Sequence, residues 1–124
     1  MSIFKHKKLN RKERLLELEK LNFNNLTFDE KIELISCRYY EKQKITYEEF
    51  VVLAMFDEVE FFYKGMLYQI DYSIPEFTSL YITPYPNGTK VLGKSIKFNS
   101  ILELFAQFRV EGKRICDIWD EIAL

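Results

Sequence analysis

The chain has 124 residues, of which 48% are hydrophobic, with 11 Phe, 8 Tyr and 1 Trp. This content fills one core of ordinary size, and it excludes both a largely disordered chain and two independent domains. The net charge of −1 is the sum of two unlike parts. Residues 1–14 hold six Lys or Arg and one carboxylate, whereas residues 15–124 hold twelve Lys or Arg and eighteen carboxylates. We therefore expect a basic tail over residues 1–14 and a single, acidic domain over residues 15–124.

Cysteine content and hydropathy indicate a cytoplasmic protein. Cys37 and Cys116 lack the spacing typical of a disulfide framework, which favours a reducing compartment. The basic N-terminus is not followed by the apolar run of a signal peptide. The longest apolar stretch, residues 50–56, has seven residues, whereas a membrane-spanning helix needs about 20. We expect no membrane partner.

The N-terminal part of the chain predicts helices. Leucines three residues apart indicate an amphipathic helix over Leu9–Leu21. The segment Thr27-Phe28-Asp29-Glu30 is a capping box, in which the threonine and the glutamate satisfy each other's backbone N–H groups. The segment Thr46-Tyr47-Glu48-Glu49 repeats this pattern nineteen residues later. Helices are therefore expected to begin after Thr27 and after Thr46.

Alternating hydrophobicity then predicts an antiparallel sheet. Lys64-Gly65 joins the first two strands in a hairpin, because glycine tolerates a positive φ. The segment Pro84–Gly88 is expected to be an exposed loop, with its Asn-Gly pair in a type I′ turn. The expected strands cover Glu58–Tyr63, Met66–Tyr72, Ser79–Thr83 and Lys90–Phe98.

Two helices are expected at the C-terminus. Ser100 and Glu103 have capping-box spacing, and the helix that they begin should end near Glu111-Gly112. Apolar residues at helical spacing predict a second helix over Ile115–Ile122. The order of elements predicts an α+β fold with N-terminal helices, a three- to four-stranded antiparallel sheet and two C-terminal helices.

Three short segments of the chain have a familiar pattern. They are Ile45-Thr46-Tyr47-Glu48-Glu49-Phe50, the hairpin Val59–Tyr68, and Phe98-Asn99-Ser100 together with Val110–Ile115. Through them, residues 45–124 resemble small, uncharacterised proteins of prophages and mobile elements in low-GC Gram-positive bacteria. That class usually has Asp-Gly-Lys where this chain has Glu111-Gly112-Lys113. The resemblance implies a mobile-element accessory protein, from the pool that includes anti-CRISPR and other anti-defence inhibitors.

The residues offer few means of catalysis. The single histidine, His6, lies in the basic tail, so a Ser-His or Cys-His pair has no positioned base. One His and two Cys far apart do not have the spacing of a zinc site. Carboxylates near the first hairpin resemble those of metal-dependent nucleases, but solvated carboxylates on an exposed strand face are the favoured explanation. We expect no enzyme, no bound metal and no cofactor.

Binding is the function that the sequence favours. Acidic and tyrosine side chains of the body can contact a basic surface of a protein or nucleoprotein. The resemblance implies a CRISPR nuclease as one such target. The candidate protein-binding residues are Glu48, Glu49, Asp57, Glu58, Glu60, Tyr81 and Tyr85. We expect a monomer, with the stripe of Leu15, Leu18 and Leu21 packed on the chain itself.

The alternative function is nucleic-acid binding by an accessory or regulatory protein. Clustered cations neutralise phosphates and release counterions, which gives attraction that is independent of sequence and sensitive to salt. The candidate nucleic-acid-binding residues are Lys5, Lys7, Lys8, Arg11, Lys12 and Arg14. A solubilising terminus without a partner explains the same charges.

Overall fold

The computed structural model describes residues 8–72, 80–86 and 95–124. Within these residues the fold is α+β, as predicted, with five α-helices, a four-stranded antiparallel sheet and a small two-stranded sheet. The chain divides into two compact units, Met1–Asp57 and Glu58–Leu124, a division that the predicted single domain did not include. No helix in the described residues has the length and apolar character needed to cross a membrane.

The first unit is helical. It contains α1 (Lys8–Lys20), a 3₁₀ turn (Phe23–Asn25), α2 (Phe28–Tyr40) and α3 (Tyr47–Phe56). Residues 8–14 form the first two turns of α1, so the predicted tail does not end at residue 14. Its charged residues belong to an amphipathic helix, because the apolar residues that follow give this stretch a core-facing side.

Both capping boxes of the first unit are confirmed. The Thr27 hydroxyl accepts from the Glu30 N–H at 3.1 Å, and the Thr27 N–H donates to the Glu30 carboxylate at 2.9 Å. Thr46 and Glu49 make the same pair of hydrogen bonds at 3.1 and 2.8 Å. Each box satisfies N–H groups that have no partner within the helix, and therefore sets where α2 and α3 begin.

The leucine stripe packs within the first unit, although one member lies outside the core. Leu15 and Leu18 are buried, whereas Leu21 comes after the end of α1 and is exposed. Leu21 is exposed because α1 ends at Lys20, so that Leu21 does not continue the buried face of the helix. The buried cluster consists of Leu15, Leu18, Leu26, Leu34 and Cys37.

The second unit is built on a sheet with strand order β1-β2-β3-β4. The predicted first hairpin is confirmed, since Lys64 and Gly65 both have positive φ, at 49° and 77°, as a type I′ turn requires. The strands are β1 (Val59–Tyr63), β2 (Met66–Tyr72), β3 (Leu80–Pro86) and β4 (Ile96–Phe98).

The third strand is longer than predicted. Pro84, Tyr85 and Pro86 continue β3 and pair with β2, so they are not an exposed loop. Proline is tolerated there because β4 pairs only with Leu80–Ile82, which leaves no described ladder partner for the proline nitrogens. The predicted Asn87-Gly88 turn lies outside the described residues.

The C-terminal helices exist, but a hairpin separates them. Glu111 and Gly112 have φ values of 52° and 79° and join β5 to β6, so the first of these helices ends before them. Ser100 accepts from the Glu103 N–H, while the Glu103 carboxylate accepts from the N–H of Asn99, so the capping box forms only in part. The elements are α4 (Ile101–Gln107), β5 (Arg109–Val110), β6 (Lys113–Arg114), α5 (Ile115–Ile118) and a 3₁₀ turn (Trp119–Glu121).

One face of the four-stranded sheet is covered within its own unit. Val59, Phe61 and Tyr63 alternate along β1 as buried residues. On the same face, the ring of Tyr68 lies edge-on to Phe108, which follows α4, at 5.8 Å between centroids. The other face of the sheet carries the side chains that alternate with these, and several of the candidate binding residues lie there.

Candidate functional site

The outer face of the sheet consists of three rows that cross the strands. Each row follows from the antiparallel register, because residues directly opposite each other share a face. The charged row contains Glu58, Asp71, Tyr81 and Lys97; the polar row contains Glu60, Gln69, Thr83 and Ser95; the apolar row contains Phe62, Leu67 and Tyr85. Four of the predicted protein-binding residues, Glu58, Glu60, Tyr81 and Tyr85, therefore share this face.

Three acidic side chains lie close together on this face: Asp71 and Glu58 in the charged row, and Glu60 in the neighbouring polar row. The pKa of Asp71 is raised above its ordinary value, first by burial and then by the negative charges of Glu58 and Glu60. A side-chain hydrogen bond with Glu58 raises the pKa of Asp71 further. Asp71 is thus a partly desolvated carboxyl group beside two further negative charges, and carboxyl groups in such surroundings are more frequent at functional sites.

The polar row holds the strands in register through side-chain hydrogen bonds. Gln69 Nε2 donates to the Glu60 carboxylate at 3.0 Å, and the hydroxyls of Thr83 and Ser95 are 2.8 Å apart. Thr83 is buried, while Glu60 and Gln69 are half-buried. The centre of the outer face is therefore ordered, which fixes the separation between the charged and the apolar row.

The apolar row offers aromatic surface at the other end of the strands. Phe62 is 37% exposed, and Leu67 and Tyr85 are half-buried. Tyr85 lies opposite Leu67 in β3, so it contributes to this row and not to a loop. Aromatic side chains that keep part of their surface exposed are typical of protein interfaces, because a rigid ring loses little entropy on binding.

The other three predicted protein-binding residues lie in the helical unit. Glu48 is exposed in the first turn of α3, and Glu49 belongs to the capping box and lies 3.9 Å from Arg38 Nη1. Asp57 is buried and accepts a hydrogen bond of 2.7 Å from the Tyr40 hydroxyl. Burial and this bond raise the pKa of Tyr40. Glu49 and Asp57 thus have structural roles.

Sequence reasoning missed part of the outer face. Asp71, Phe62 and Lys97 were not among the candidate binding residues, although strand alternation places Phe62 on the side of Glu60. The sequence signal for these residues is the alternation of apolar and polar side chains along each strand. This alternation predicts which face of the strand a residue lies on, but not which residues of neighbouring strands lie beside it. The register that aligns Asp71 with Tyr81, and Tyr81 with Lys97, depends on tertiary structure.

Two of the basic residues are engaged inside the helical unit. Arg11 Nη1 lies 3.7 Å from Glu41 Oε2, both side chains are about nine-tenths buried, and the guanidinium lies 4.7 Å from the centre of the Tyr40 ring. Arg14 pairs with Glu33 and with Glu17, and the hydrogen bond to Glu33 is the main cause of its raised pKa. These cations hold α1 against α2.

The remaining basic candidates differ in exposure. The Lys12 side chain is 80% exposed, and its Nζ lies 4.0 Å from Glu41. Lys8 begins α1, while Lys5 and Lys7 lie outside the described residues. Lys12 is therefore the described cation of this set that is best positioned to meet an external anion.

Three observations concern metal and nucleophile chemistry in the described residues. They contain no group of three or more His, Cys, Asp or Glu arranged to hold a metal ion. Burial raises the pKa of the Cys37 thiol to about 11, so this sulfur is not a thiolate nucleophile at neutral pH. Glu111 accepts a hydrogen bond of 2.9 Å from Lys64 Nζ, which lowers the pKa of Glu111. No protein-family model, curated protein or solved structure matches the chain.

Proposed function

We propose that this protein is a non-enzymatic binding protein that docks the outer face of its sheet on a basic surface of a larger protein or nucleoprotein. The observation that carries the proposal is the group of Asp71, Glu58 and Glu60, in which burial and the two neighbouring negative charges raise the pKa of Asp71. These carboxylates share the face with the half-buried Tyr81 and Tyr85.

Electrostatic repulsion explains why such a face favours a cationic partner. Like charges on neighbouring strands destabilise a sheet, whereas a cation brought by a partner converts the repulsion into attraction. The attraction is stronger in a partly desolvated setting than in open water. The tyrosines supply contact area beside the charges, as is typical of interface hot spots.

The proposed target is a nucleoprotein machine of a bacterial host, and the proposed role is that of a phage or mobile-element inhibitor. The resemblance of residues 45–124 to mobile-element proteins supports this role by association. The chemistry of the outer face supports it separately, because the surfaces that hold nucleic acids are basic and complement carboxylates.

The alternative, nucleic-acid binding through the N-terminal cations, has weaker support. Arg11 and Arg14 already interact with carboxylates of α1 and α2, so a phosphate would have to compete for them. A contact with a phosphate would therefore depend mainly on Lys12 and on the lysines that precede it in the sequence. This alternative predicts that Lys12→Gln reduces retention on DNA or RNA, with an effect that disappears at high salt.

A pull-down with matched variants tests the proposal. The bait proteins are the wild type, the double variant Glu58→Gln/Asp71→Asn, and a control with the same change in charge, Asp120→Asn/Glu121→Gln, in the exposed C-terminal 3₁₀ turn. Bacterial lysate is applied with and without nuclease treatment, and bound partners are quantified by mass spectrometry at low and high salt.

The outcomes separate the two functions. We expect a protein partner that survives nuclease and binds the sheet variant about tenfold more weakly, equivalent to about 1.4 kcal/mol, while the control retains it. A partner held equally by the sheet variant contradicts docking through the outer face. Loss of all partners after nuclease treatment favours nucleic-acid binding instead.

A further inference from the structure

We infer that α1 is a releasable helix, which a nucleic acid displaces from α2 by competing with the carboxylates of α2 for the arginines of α1. Release frees a basic helix and uncovers the apolar side of α2 on which α1 lies. The device lies within the helical unit and does not involve the outer face of the sheet. It therefore goes beyond the proposed function and is tested independently of it.

The side of α1 that lies on α2 is half charged. Residues at positions i, i+3, i+4 and i+7 of one helical face are Arg11, Arg14, Leu15 and Leu18. Both leucines are buried, and the two arginine side chains are 11% and 35% exposed. The other side chains of residues 11–20 are exposed. The apolar contact of this stretch therefore depends on two leucines, and ion pairs supply the rest.

The facing side of α2 carries a carboxylate on each side of a thiol. Glu33, Cys37 and Glu41 are four residues apart in α2 and its C-cap, so they share one side of the helix. Arg14 Nε donates to Glu33 Oε1, and Arg11 Nη1 lies 3.7 Å from Glu41 Oε2. Cys37 is fully buried in the apolar cluster that the leucines of α1 complete. Charge complementarity thus flanks a small apolar centre.

Ion pairs at these positions make the docking of α1 exchangeable. Apolar side chains of similar volume often hold a buried position as well as an ion pair does, or better. An arginine, however, can exchange its carboxylate for another anion, because a phosphate offers the same bidentate geometry. A nucleic acid can therefore replace Glu33 and Glu41 without leaving Arg14 and Arg11 unpaired, and only the contacts of the two leucines are lost.

The surroundings of the arginines supply the attraction for a phosphate chain. Residues 1–14 hold six Lys or Arg and one carboxylate. The Lys12 side chain is 80% exposed and offers the first contact. Attraction to such a segment is independent of sequence and decreases as salt rises. Glu33 and Glu41 repel phosphates, so a nucleic acid bound along α1 favours separation of α1 from α2.

Cys37 reports release, because its thiol lies under α1. The thiol is fully buried and burial raises its pKa to about 11, so it reacts slowly with a maleimide while α1 is docked. The labelling rate is measured in the full-length protein with Cys116→Ser, which removes the half-buried second thiol. The probe is a single-stranded oligothymidylate of about 20 nucleotides, and sodium chloride at the same ionic strength is the control.

A matched pair of variants tests the ion pairs without a nucleic acid. Glu33→Gln/Glu41→Gln removes both carboxylates, whereas Asp120→Asn/Glu121→Gln makes the same change of charge in the exposed C-terminal 3₁₀ turn. Amide hydrogen exchange is followed in every sample. Release of α1 alone raises exchange in residues 8–20 and leaves β1 and β2 protected, whereas global unfolding raises exchange in all of them.

We expect the oligonucleotide to speed the labelling of Cys37 about tenfold, equivalent to about 1.4 kcal/mol in the opening equilibrium. Glu33→Gln/Glu41→Gln should do the same without it, while the control variant and the salt control should not. An unchanged labelling rate with the oligonucleotide overturns the inference, whether or not the oligonucleotide binds. Faster labelling that comes with faster exchange throughout β1 and β2 also overturns it, because the whole protein then opens.

Discussion

The two units of this protein differ in which charged side chains lie next to one another. In the helical unit, Arg11 and Arg14 of α1 lie beside carboxylates of their own or the next helix, and Arg38 of α2 lies 3.7 Å from Glu19 and 3.9 Å from Glu49. In the sheet unit, negative groups lie beside one another on the outer face, and the pKa of Asp71 is raised, first by burial and then by the charges of Glu58 and Glu60.

The difference separates charges that lie beside opposite charges from carboxylates that lie beside one another. Opposite charges between helices stabilise the packing of those helices, modestly where they are exposed and more where they are buried. Adjacent like charges repel one another and oppose folding by themselves, and ionisable groups in such surroundings are more frequent at functional sites. The contrast favours the outer face of the sheet, rather than the basic N-terminal segment, as the binding surface.

The largest expected effect tests whether α1 belongs to the folded body. Leu18 is 1% exposed in the cluster with Leu34 and Cys37, so Leu18→Ala should lower the free energy of unfolding by about 2–5 kcal/mol. Leu16→Ala, at a 59% exposed position of the same helix, should change it by less than about 0.5 kcal/mol. Urea denaturation measures both; equal, small effects would show that α1 does not contribute to the core.

The next effect tests the pairing of charges in the helical unit. Arg11→Gln leaves the buried carboxylate of Glu41 without this cation, and should cost about 1–3 kcal/mol. Lys12→Gln removes the same charge from the adjacent, 80% exposed position, and should cost less than about 0.5 kcal/mol. Chemical denaturation of both variants compares them directly, and a smaller cost for Arg11→Gln than for Lys12→Gln would contradict a structural role.

A smaller effect of opposite sign is expected in the sheet. A carboxyl whose folded pKa is raised stabilises the fold below its unfolded pKa of about 3.9, and this contribution is lost as pH rises through the folded value. Asp71→Asn should therefore stabilise the protein at pH 7, by up to about 1 kcal/mol, and the gain should vanish below about pH 4. Denaturation midpoints across pH measure it; destabilisation at pH 7 would mean that the ionised Asp71 has a favourable partner.

The smallest effect concerns an exposed ion pair within the sheet unit. Lys64 and Glu111 lie in the turns of the two hairpins, with their Nζ and Oε2 atoms 2.9 Å apart and both side chains largely exposed. Exposed pairs contribute little, so Lys64→Gln should leave the melting temperature unchanged within error. A measurable decrease in low salt that disappears in high salt would show that the pair links the hairpins energetically.

Local chemistry made much of the fold predictable. The capping boxes at Thr27 and Thr46 and the Lys64-Gly65 turn depend on residues close in sequence, and each was predicted at the position where it forms. The β5–β6 hairpin was missed because Glu111-Gly112 also suits the end of a helix. Only the left-handed backbone of both residues distinguishes a hairpin turn from a C-cap.

The candidate site was predictable only in part. Tyr81 and Glu60 were chosen for their chemistry, and the strand register places both on one face of the sheet. Asp57 was chosen on the same grounds, yet it is buried with Tyr40. A hydrogen bond between residues seventeen positions apart leaves no periodic pattern in the sequence, so composition alone does not separate it from an exposed carboxylate.

By itself, the sequence determined the α+β class, two helix starts and the first hairpin, because these depend on interactions within a few residues of the chain. Tertiary structure decided which charges are paired and which lie together, since Arg11 meets Glu41 across two helices and Asp71 meets Tyr81 across two strands. Those contacts require helix packing and strand register, which align residues that the chain keeps far apart.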